Sequence, residues 1–223
     1  MAAAAGAILV VDNTFATPLV QRPLQLGATL SLTSTTKYIN GHSDALGGVV
    51  CCDDAEWQQK MLFAQKALGL MPSPFDCWLI TRGLKTLPLR LRQQMANASA
   101  VANHLAHHPA VAWVRYPLRT DHPQHAVASR QMSGGGAIVT IGLNASRDQA
   151  YAVCKALHWF TMAESLGGVE SLICHPATMT HAAVATTVKE KLGISDGLVR
   201  LSLGCEDEAD LIADLDQALS LLP

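Results

Sequence analysis

The sequence predicts an α/β fold, and two observations carry this prediction. The first is the short apolar segment Ala7–Val11, which ends at Asp12. Both faces of such a strand are apolar, as in a strand buried in the centre of a parallel sheet. The second is the alternation of strand-like and helix-like segments that follows, because strand, helix and strand in succession are typical of α/β domains.

The first part of the chain, residues 1–84, continues this alternation and is predicted to belong to a larger α/β domain. Ser73 is a suitable N-cap for a helix that has Pro74 in its first position and is interrupted near Gly83. Apolar runs predict strands here, and helical spacing predicts helices. The other elements are one or two helical turns at Pro18–Leu26, strands at Leu30–Thr33 and Gly47–Cys52, a polar loop at Ser34–Asp44 and a helix at Asp54–Leu68.

The remainder, residues 85–223, is predicted to form a smaller α+β domain with an antiparallel sheet. Apolar residues recur at helical spacing from Leu87 to His108, and they alternate with polar ones in Ala137–Leu143 and Leu198–Leu203, as in strands. The other elements are a strand at Val111–Tyr116 and helices at Asp148–Leu157 and Glu206–Leu222.

The composition excludes several classes of protein. Charged residues make up only 15% of the 223-residue chain, against about 25% on average, so we expect a partner subunit to cover part of the surface, most simply in a homo-oligomer. A net charge of −2 without a basic stripe predicts no nucleic-acid partner. No apolar stretch reaches the ~18 residues that cross a membrane. Six irregularly spaced cysteines without a CxxC pair predict a cytoplasmic protein.

The clearest chemical pattern lies around the first two predicted strands. Asp12 follows the first strand, and ligands of open α/β sheets bind at the carboxyl ends of strands. Lys37 follows the second, preceded by Ser34 and Thr36. Pyridoxal phosphate (PLP) needs such a set, because a lysine forms its Schiff base, an acid keeps its pyridine nitrogen protonated and hydroxyl groups bind its phosphate. From the residues alone, the alternative is that Asp12 caps a helix and Lys37 is a surface lysine.

No metal site is predicted. His175 and His181 flank a loop, but neither has a third ligand at the spacing of zinc sites.

The motifs of the chain resemble one enzyme family in the same order throughout. This family contains the cystathionine γ-synthases, γ-lyases and β-lyases, the Cys/Met-metabolism group of PLP-dependent enzymes. Its lysine region resembles the segment VVDNTFATPLVQRPLQLGATLSLTSTTKYINGHSDALGG. Later family motifs resemble SPFDCWLITRGLKTLPLR (Ser73–Arg90), AESLGGVESLICHPATMTH (Ala163–His181) and LVRLSLGCEDEADLIADL (Leu198–Leu215). The resemblance implies the fold type I of PLP-dependent transferases, with part of the large PLP-binding domain in residues 1–84 and the complete C-terminal small domain in residues 85–223.

The resemblance implies a role for each matching residue around the cofactor. Lys37 matches the Schiff-base lysine, which also moves protons between substrate carbons. Asp12 matches the partner of the pyridine nitrogen, and Ser34 and Thr36 match the hydroxyl groups that hold the phosphate.

It also implies a group of substrate-binding residues. Arg200 matches the arginine that pairs with the substrate α-carboxylate, and Ser165 matches a position that helps to hold the same carboxylate. Glu164 matches an acidic position that is typical of the γ-synthase and γ-lyase branch. From the residues alone, Arg200 has the alternative of an outward-facing charge in a strand, and Glu164 and Ser165 that of a loop cap.

The implied activity is PLP-dependent transsulfuration of sulfur amino acids or homoserine esters, of the cystathionine γ-synthase or γ-lyase type, in cysteine metabolism or methionine biosynthesis. The alternatives are a cystathionine β-lyase or an O-acyl-homoserine sulfhydrylase of the same family, and a non-catalytic fragment that only associates with full-length subunits. Family chains begin well before this one, so the resemblance implies an N-terminally truncated enzyme. Such a chain lacks the family's glycine-containing phosphate loop and its stacking tyrosine.

Overall fold

In the computed structural model, which describes residues 2–223, the chain divides into two units. One unit runs to Pro88 and includes Arg130–Ser133, and the other consists of Leu89–Ser129 and Gly134–Pro223. The first contains a three-stranded sheet and the second a five-stranded sheet.

The sheet of the first unit has the order β1-β2-β3. Strand β1 (Val10–Asp12) runs parallel to β2 (Leu30–Ser34), and β3 (Gly48–Cys51) is antiparallel to β2. The predicted cap of the third helix is confirmed, because the Ser73 hydroxyl accepts a hydrogen bond from the Asp76 amide. The helical segments are α1 (Thr17–Val20), a 3-10 turn (Pro23–Leu26), α2 (Ala55–Leu68) and α3 (Pro74–Leu84).

The predicted strand at Ala7–Val11 is shorter than expected and is not buried within the described residues, where it forms an exposed apolar edge. The strand begins only at Val10, and the side chains of Ile8, Leu9 and Val10 are 49%, 40% and 51% exposed. The reason is that β1 pairs with β2 alone within residues 2–223, so it forms an edge of the sheet. Apolar composition indicated what the strand is suited to, but burial depends on what packs against it.

The sheet of the second unit has the order β4-β5-β8-β7-β6. It is antiparallel as predicted except for β6 and β7, which are parallel. Its strands are β4 (Val111–Arg115), β5 (Ile138–Leu143), β6 (Thr161–Met162), β7 (Leu172–Cys174) and β8 (Leu198–Ser202). Its helices are α6 (Arg147–Ala156), α7 (Thr186–Lys191), α8 (Glu208–Leu219), all but the first two residues of α4 (Leu87–Leu105) and all but the last two of α5 (His125–Gln131). The sequence did not predict α5, α7, β6 or β7, because such short elements have too few residues to show a period.

The last helix begins later than predicted. Glu206 lies outside α8, because Asp207 is the N-cap and its Oδ1 accepts a hydrogen bond from the Ala209 amide. Helix α8 contributes to the core of this unit with leucines that are at most 2% exposed. Within residues 2–223, no helix is long and apolar enough to cross a membrane.

Candidate functional site

The first unit brings four predicted residues to the carboxyl edge of its sheet. Asp12 ends β1 and Ser34 ends β2, and these two strands are neighbours that run in parallel. Asp12 lies opposite Leu32, so Ser34 is the second residue beyond its partner. Thr36 and Lys37 follow directly in the turn Thr35–Ile39.

A residue that the sequence analysis did not single out, Thr14, links the two strand ends. Its amide donates to Asp12 Oδ1 at 2.9 Å, and its Oγ1 accepts a hydrogen bond from the Ser34 amide at 2.8 Å. Asp12 is exposed, and its Oδ2 accepts no hydrogen bond from any residue in 2–223. One carboxylate oxygen is therefore held in place while the other remains available to a ligand.

Lys37 lies in an irregular turn rather than in a regular helix or an open loop. The turn Thr35–Ile39 has the wide, π type of helical winding, but Lys37 itself has φ −89° and ψ −127°, outside the helical region. The Asn40 amide donates to Thr35 O at 2.9 Å and the Gly41 amide to Lys37 O at 2.8 Å, which closes the turn. The lysine backbone is thus fixed by hydrogen bonds on its carboxyl side.

The two hydroxyl groups predicted to bind phosphate differ in their surroundings. Thr36 Oγ1 accepts a hydrogen bond from the Gly47 amide at 3.0 Å and donates to Gly47 O at 3.3 Å. The Ser34 hydroxyl makes no hydrogen bond with the part of the chain that the structure describes. The Ser34 hydroxyl is therefore available to a ligand. The Thr36 hydroxyl instead links the turn Thr35–Ile39, which carries Lys37, to Gly47, the residue before β3.

This set of side chains fits PLP in its chemistry. A carboxylate, an amine and hydroxyl groups lie along one edge of one sheet, and these are the groups that the ring nitrogen, the aldehyde carbon and the phosphate need. Within residues 2–223, Asp12 Oδ2 and the Ser34 hydroxyl make no hydrogen bond, so both can bind a ligand without breaking a contact in the protein.

The second unit brings the other three predicted residues together. Arg200 lies in β8, and its Nη2 donates hydrogen bonds to Glu164 O at 2.8 Å and to Ser165 O at 3.3 Å. Its Nε is buried and has no hydrogen-bond partner within residues 2–223. The alternative of an outward-facing solvated charge does not describe this arginine, which is half-buried and bound to backbone carbonyls.

Glu164 presents its carboxylate to the surroundings. Its backbone carbonyl binds Arg200, while the residue is exposed and its carboxylate has no partner within residues 2–223. The alternative of a loop cap gains no support from this side chain.

The histidines that raised the question of a metal have other contacts. His175 is fully buried, its Nε2 donates to Asp196 O at 2.7 Å and its Nδ1 lies 2.8 Å from Thr178 Oγ1. His181 Nδ1 lies 2.8 Å from Thr180 Oγ1. In residues 2–223, no group of three or more His, Cys, Asp or Glu residues is arranged to hold a metal.

The sequence analysis did not single out three residues of the second unit: Glu206, Ser171 and Gln94. The Glu206 carboxylate accepts hydrogen bonds from the amide and the hydroxyl of Ser171, and Gln94 Nε2 donates to Gly168 O. They hold the segment that carries Glu164 and Ser165. The sequence held one signal for Glu206. Because Asp207 can cap the last helix, the acid directly before it is not needed as a cap and is available for another contact.

Comparison with known proteins identifies one family. The family profile described as Cys/Met metabolism PLP-dependent enzyme matches residues 1–220. A cystathionine gamma-lyase from Dictyostelium discoideum is 51% identical over 214 residues, which are 96% of this chain and 55% of that protein. A cystathionine gamma-synthase from Mycobacterium bovis is 51% identical over 211 residues, which are 95% of this chain and 54% of that protein.

A solved structure agrees with these sequence relatives. The cystathionine gamma synthase from Xanthomonas oryzae pv. oryzae, in complex with aminoacrylate and cysteine, is 51% identical and superposes with a TM-score of 0.96. The match covers 99% of this chain and 57% of that chain. The chain therefore spans a little more than half the length of the relatives it matches.

Proposed function

The chain belongs to the Cys/Met metabolism PLP-dependent enzyme family, and we propose that it acts in transsulfuration on sulfur amino acids or homoserine esters. The type of activity proposed is that of a cystathionine γ-synthase or γ-lyase, which are the names of its relatives at 51% identity. The observation that carries the proposal is the sheet edge where Asp12, Ser34 and Lys37 lie at the ends of adjacent parallel strands.

The cofactor of this family is PLP, which when bound supplies an electron sink for negative charge at a substrate carbon. Lys37 would hold the cofactor through its Nζ, and the same amine would carry protons to and from the substrate carbons. Asp12 would keep the ring nitrogen protonated, and its Oδ2, which accepts no hydrogen bond within residues 2–223, supports this role. The Ser34 and Thr36 hydroxyls bind the phosphate, and the unengaged Ser34 Oγ supports this role most directly.

The residues of the second unit bind the amino-acid substrate in this proposal. The Arg200 guanidinium pairs with the substrate α-carboxylate, because its planar fork of donors matches a carboxylate. Its buried, unpaired Nε and its half-buried position support an anionic partner, since a buried donor without an acceptor is costly. Ser165 belongs to the same carboxylate-binding group, and its carbonyl already contacts the guanidinium.

Glu164 supports the γ-synthase and γ-lyase branch. Its exposed carboxylate lies next to Ser165 in the sequence and has no partner among residues 2–223. A charge in this place favours reactions in which a polar group departs from or adds to the distal part of the substrate, because it stabilises a transition state that has charge there.

We also propose that the protein is a homo-oligomer and that it is located in the cytoplasm. Helix α2 has no buried residue, and its Leu62, Phe63 and Leu68 are 59%, 73% and 70% exposed, which supports a partner subunit on this helix. All six cysteines are free thiols, as in proteins of a reducing compartment.

Reduction with borohydride tests the proposed function. The purified chain is incubated with PLP, reduced, digested and analysed by mass spectrometry. We expect the pyridoxyl mass on Lys37, and we expect Lys37→Ala to abolish the absorbance of the lysine-bound cofactor. Since this substitution removes no buried apolar side chain, the thermal unfolding midpoint should change little.

Lys60→Ala is the matched control for this experiment. Lys60 is half exposed and contacts Glu56 and the Trp57 ring on the surface of α2, so its loss should leave cofactor labelling unchanged. A label on Lys60 or Lys85 in the wild-type chain, or cofactor absorbance that survives Lys37→Ala, would contradict the assignment of Lys37.

A further inference from the structure

A short connection in the second unit carries two of the proposed substrate-binding residues. Strands β6 and β7 are parallel, with Thr161 opposite Leu172 and Met162 opposite Ile173. Only residues 163–171, called the 163–171 loop below, join them. Parallel neighbours usually need a dozen or more residues for their crossover, so this loop has little slack and its path depends on the contacts that hold it.

The middle of the loop is tethered by polar side chains from two other elements. The Gly167 amide donates to Ser202 Oγ at 3.0 Å, and Gly168 O accepts from Gln94 Nε2 at 2.6 Å. Both tethering residues are buried, and Gln94, from α4, is fully so. Buried hydrogen bonds of this kind are expensive to break, because the freed groups find no water.

The end of the loop is held by a carboxylate. Glu206 Oε1 accepts a hydrogen bond from the Ser171 amide at 2.5 Å, and Oε2 accepts one from the Ser171 hydroxyl at 2.8 Å. Ser171 Oγ accepts a third hydrogen bond from the Gly204 amide at 2.9 Å. A carboxylate is suited to this place because both of its oxygens are acceptors.

The start of the loop is held by Arg200, whose Nη2 binds the carbonyls of Glu164 and Ser165. Arg200 and Glu206 belong to the same stretch of chain, β8 and the residues that follow it. The loop is thus held by a guanidinium at its start and by a carboxylate at its end.

Charged groups also lie near Cys205, which directly precedes Glu206. Burial raises the pKa of the neighbouring Cys205 thiol, Arg90 opposes this increase, and Glu206 and Glu170 add to it. Cys205 therefore has the buried Arg90 and the acids Glu206 and Glu170 as charged neighbours.

We propose that Glu206 is a positioning residue, which holds the 163–171 loop through Ser171 and thereby orients Ser165 and the Arg200 guanidinium for the α-carboxylate of the substrate. It does not touch the substrate itself. This inference rests on the proposed role of Arg200, and it adds a residue beyond Arg200 and Ser165, which are proposed to bind the carboxylate.

Two measurements on three variants test this inference. Glu206→Ala removes both acceptors, Glu206→Gln keeps one, and Glu208→Gln is the matched control, since Glu208 is an exposed acid in the first turn of α8. The first measurement is hydrogen–deuterium exchange of peptides that cover residues 163–171. We expect exchange at least about tenfold faster in Glu206→Ala, an intermediate rate in Glu206→Gln and no change in the control.

The second measurement separates positioning from general loosening. The PLP-loaded chain is titrated with L-alanine and with ethylamine, which lacks the carboxylate, and the cofactor absorbance is followed. We expect Glu206→Ala to weaken L-alanine binding about tenfold or more and to leave ethylamine binding unchanged, because a small misplacement affects only the group that the arginine binds. Glu206→Gln should recover part of the loss.

Different outcomes would overturn the proposed role of Glu206 and the proposed role of Arg200. Unchanged exchange in Glu206→Ala, or faster exchange with an unaltered ratio of L-alanine to ethylamine affinity, overturns the role of Glu206. A wild-type chain that binds both ligands equally overturns the carboxylate role of Arg200, and with it the role of Glu206 in positioning Arg200. In that case, faster exchange in Glu206→Ala would show that the loop tether exists without serving the carboxylate.

Discussion

At the scale of single residues, two neighbouring hydroxyl groups have different partners. Thr36 Oγ1 both accepts from and donates to the backbone of Gly47, whereas Ser34 Oγ has no hydrogen bond within residues 2–223. A ligand phosphate gains a hydrogen bond from Ser34 without breaking one in the protein. From Thr36 it gains one only if the hydroxyl proton turns away from Gly47 O.

We therefore predict that Ser34→Ala and Thr36→Val affect different properties. Ser34→Ala should weaken PLP binding about 10- to 100-fold, the equivalent of one charge-assisted hydrogen bond of about 1.5–3 kcal/mol, with little change in stability. Thr36→Val should also lower the free energy of unfolding by about 1 kcal/mol, because the Gly47 amide loses its acceptor. Cofactor titration and urea unfolding measure the two effects, with Ser31→Ala in β2 as control. Equal stability losses in both variants would contradict this distinction.

Glu164 allows a prediction about the reaction branch. In an assembly that turns over cystathionine, Glu164→Ala should lower kcat/KM for γ-elimination roughly tenfold, the loss of about 1.4 kcal/mol of transition-state stabilisation, and affect β-elimination less. The two reactions are distinguished by the keto acid released, 2-oxobutanoate or pyruvate. Glu190→Ala, at an exposed acid in α7, is the control. An equal loss in both reactions would remove the support for the γ branch.

Two buried groups predict how stability depends on pH. Burial, and secondarily the nearby Cys174, raises the pKa of Cys154 from 9.0 to about 12, and burial raises the pKa of Tyr116 from 10.0 to about 12. The folded state therefore keeps protons that the unfolded state loses at lower pH. The stability contributed by the neutral forms is full below about pH 9 and is lost as the pH rises towards 12.

We expect the free energy of unfolding to fall above pH 9 by up to about 1.4 kcal/mol per pH unit for each of these groups. Urea unfolding between pH 8 and about 11 should give a shallower dependence for Cys154→Ala than for the wild type. Cys77→Ala, at an exposed cysteine, should keep the wild-type slope. Identical slopes in all three proteins would show that Cys154 does not titrate in this way.

At the scale of elements, the lysine turn is supported by helix α3. A Cβ atom on Gly83 would collide with the carbonyl oxygen of Asn40, which directly follows the turn Thr35–Ile39. The glycine that looks like a helix interruption in the sequence therefore lets α3 approach the turn that carries Lys37.

Gly83→Ala should consequently destabilise the first unit by about 1–3 kcal/mol, the usual cost of overpacking, and weaken PLP binding by displacing the turn. Gly48→Ala is the matched control, because a Cβ there would lie 3.8 Å from its nearest neighbour, Thr33 O. Urea unfolding and cofactor titration of both variants check the prediction. If both alanines are tolerated equally, the close approach of α3 is not a constraint on the turn.

At the scale of the whole molecule, the first unit has much apolar surface. Helix α2 has no buried residue, and together with β3 it lines a groove of about 610 Å³ whose walls include Val50, Met61 and Leu70. Strand β1 adds an open edge with exposed apolar side chains. Surfaces of this kind associate with other chains in water, because burial of apolar area and pairing of a strand edge are both favourable.

We expect the 223-residue chain, expressed alone, to self-associate. Light scattering during size-exclusion chromatography should give masses above the 23.7 kDa of one chain, and the double substitution of Phe63 and Leu68 by serine should reduce them. The same change at Leu192 and Leu221, exposed leucines of the second unit, is the control and should have less effect. A monomer at tens of micromolar would contradict this expectation.

The sequence by itself determined the features that depend on nearby residues. The N-cap at Ser73, the strand that ends at Asp12 and the short step from the next strand to Lys37 are properties of a few consecutive residues, and their positions agree with the structure. The four motifs that resemble the family, from the lysine region to the segment around Arg200, are local patterns in the same sense. The roles of these residues in the site stay predictions.

Only the tertiary structure decided what joins distant parts of the chain. The hydrogen bond between Thr14 and Ser34 joins residues 20 positions apart, and the one between Ser171 and Glu206 joins residues 35 positions apart. The exposure of β1 likewise depends on which strands pair with it and not on its own apolar residues. The physical reason is that hydrogen bonds and burial between distant residues form only when the packed elements bring the groups together. Local periodicity and spacing in the sequence do not show which distant residues will be in contact.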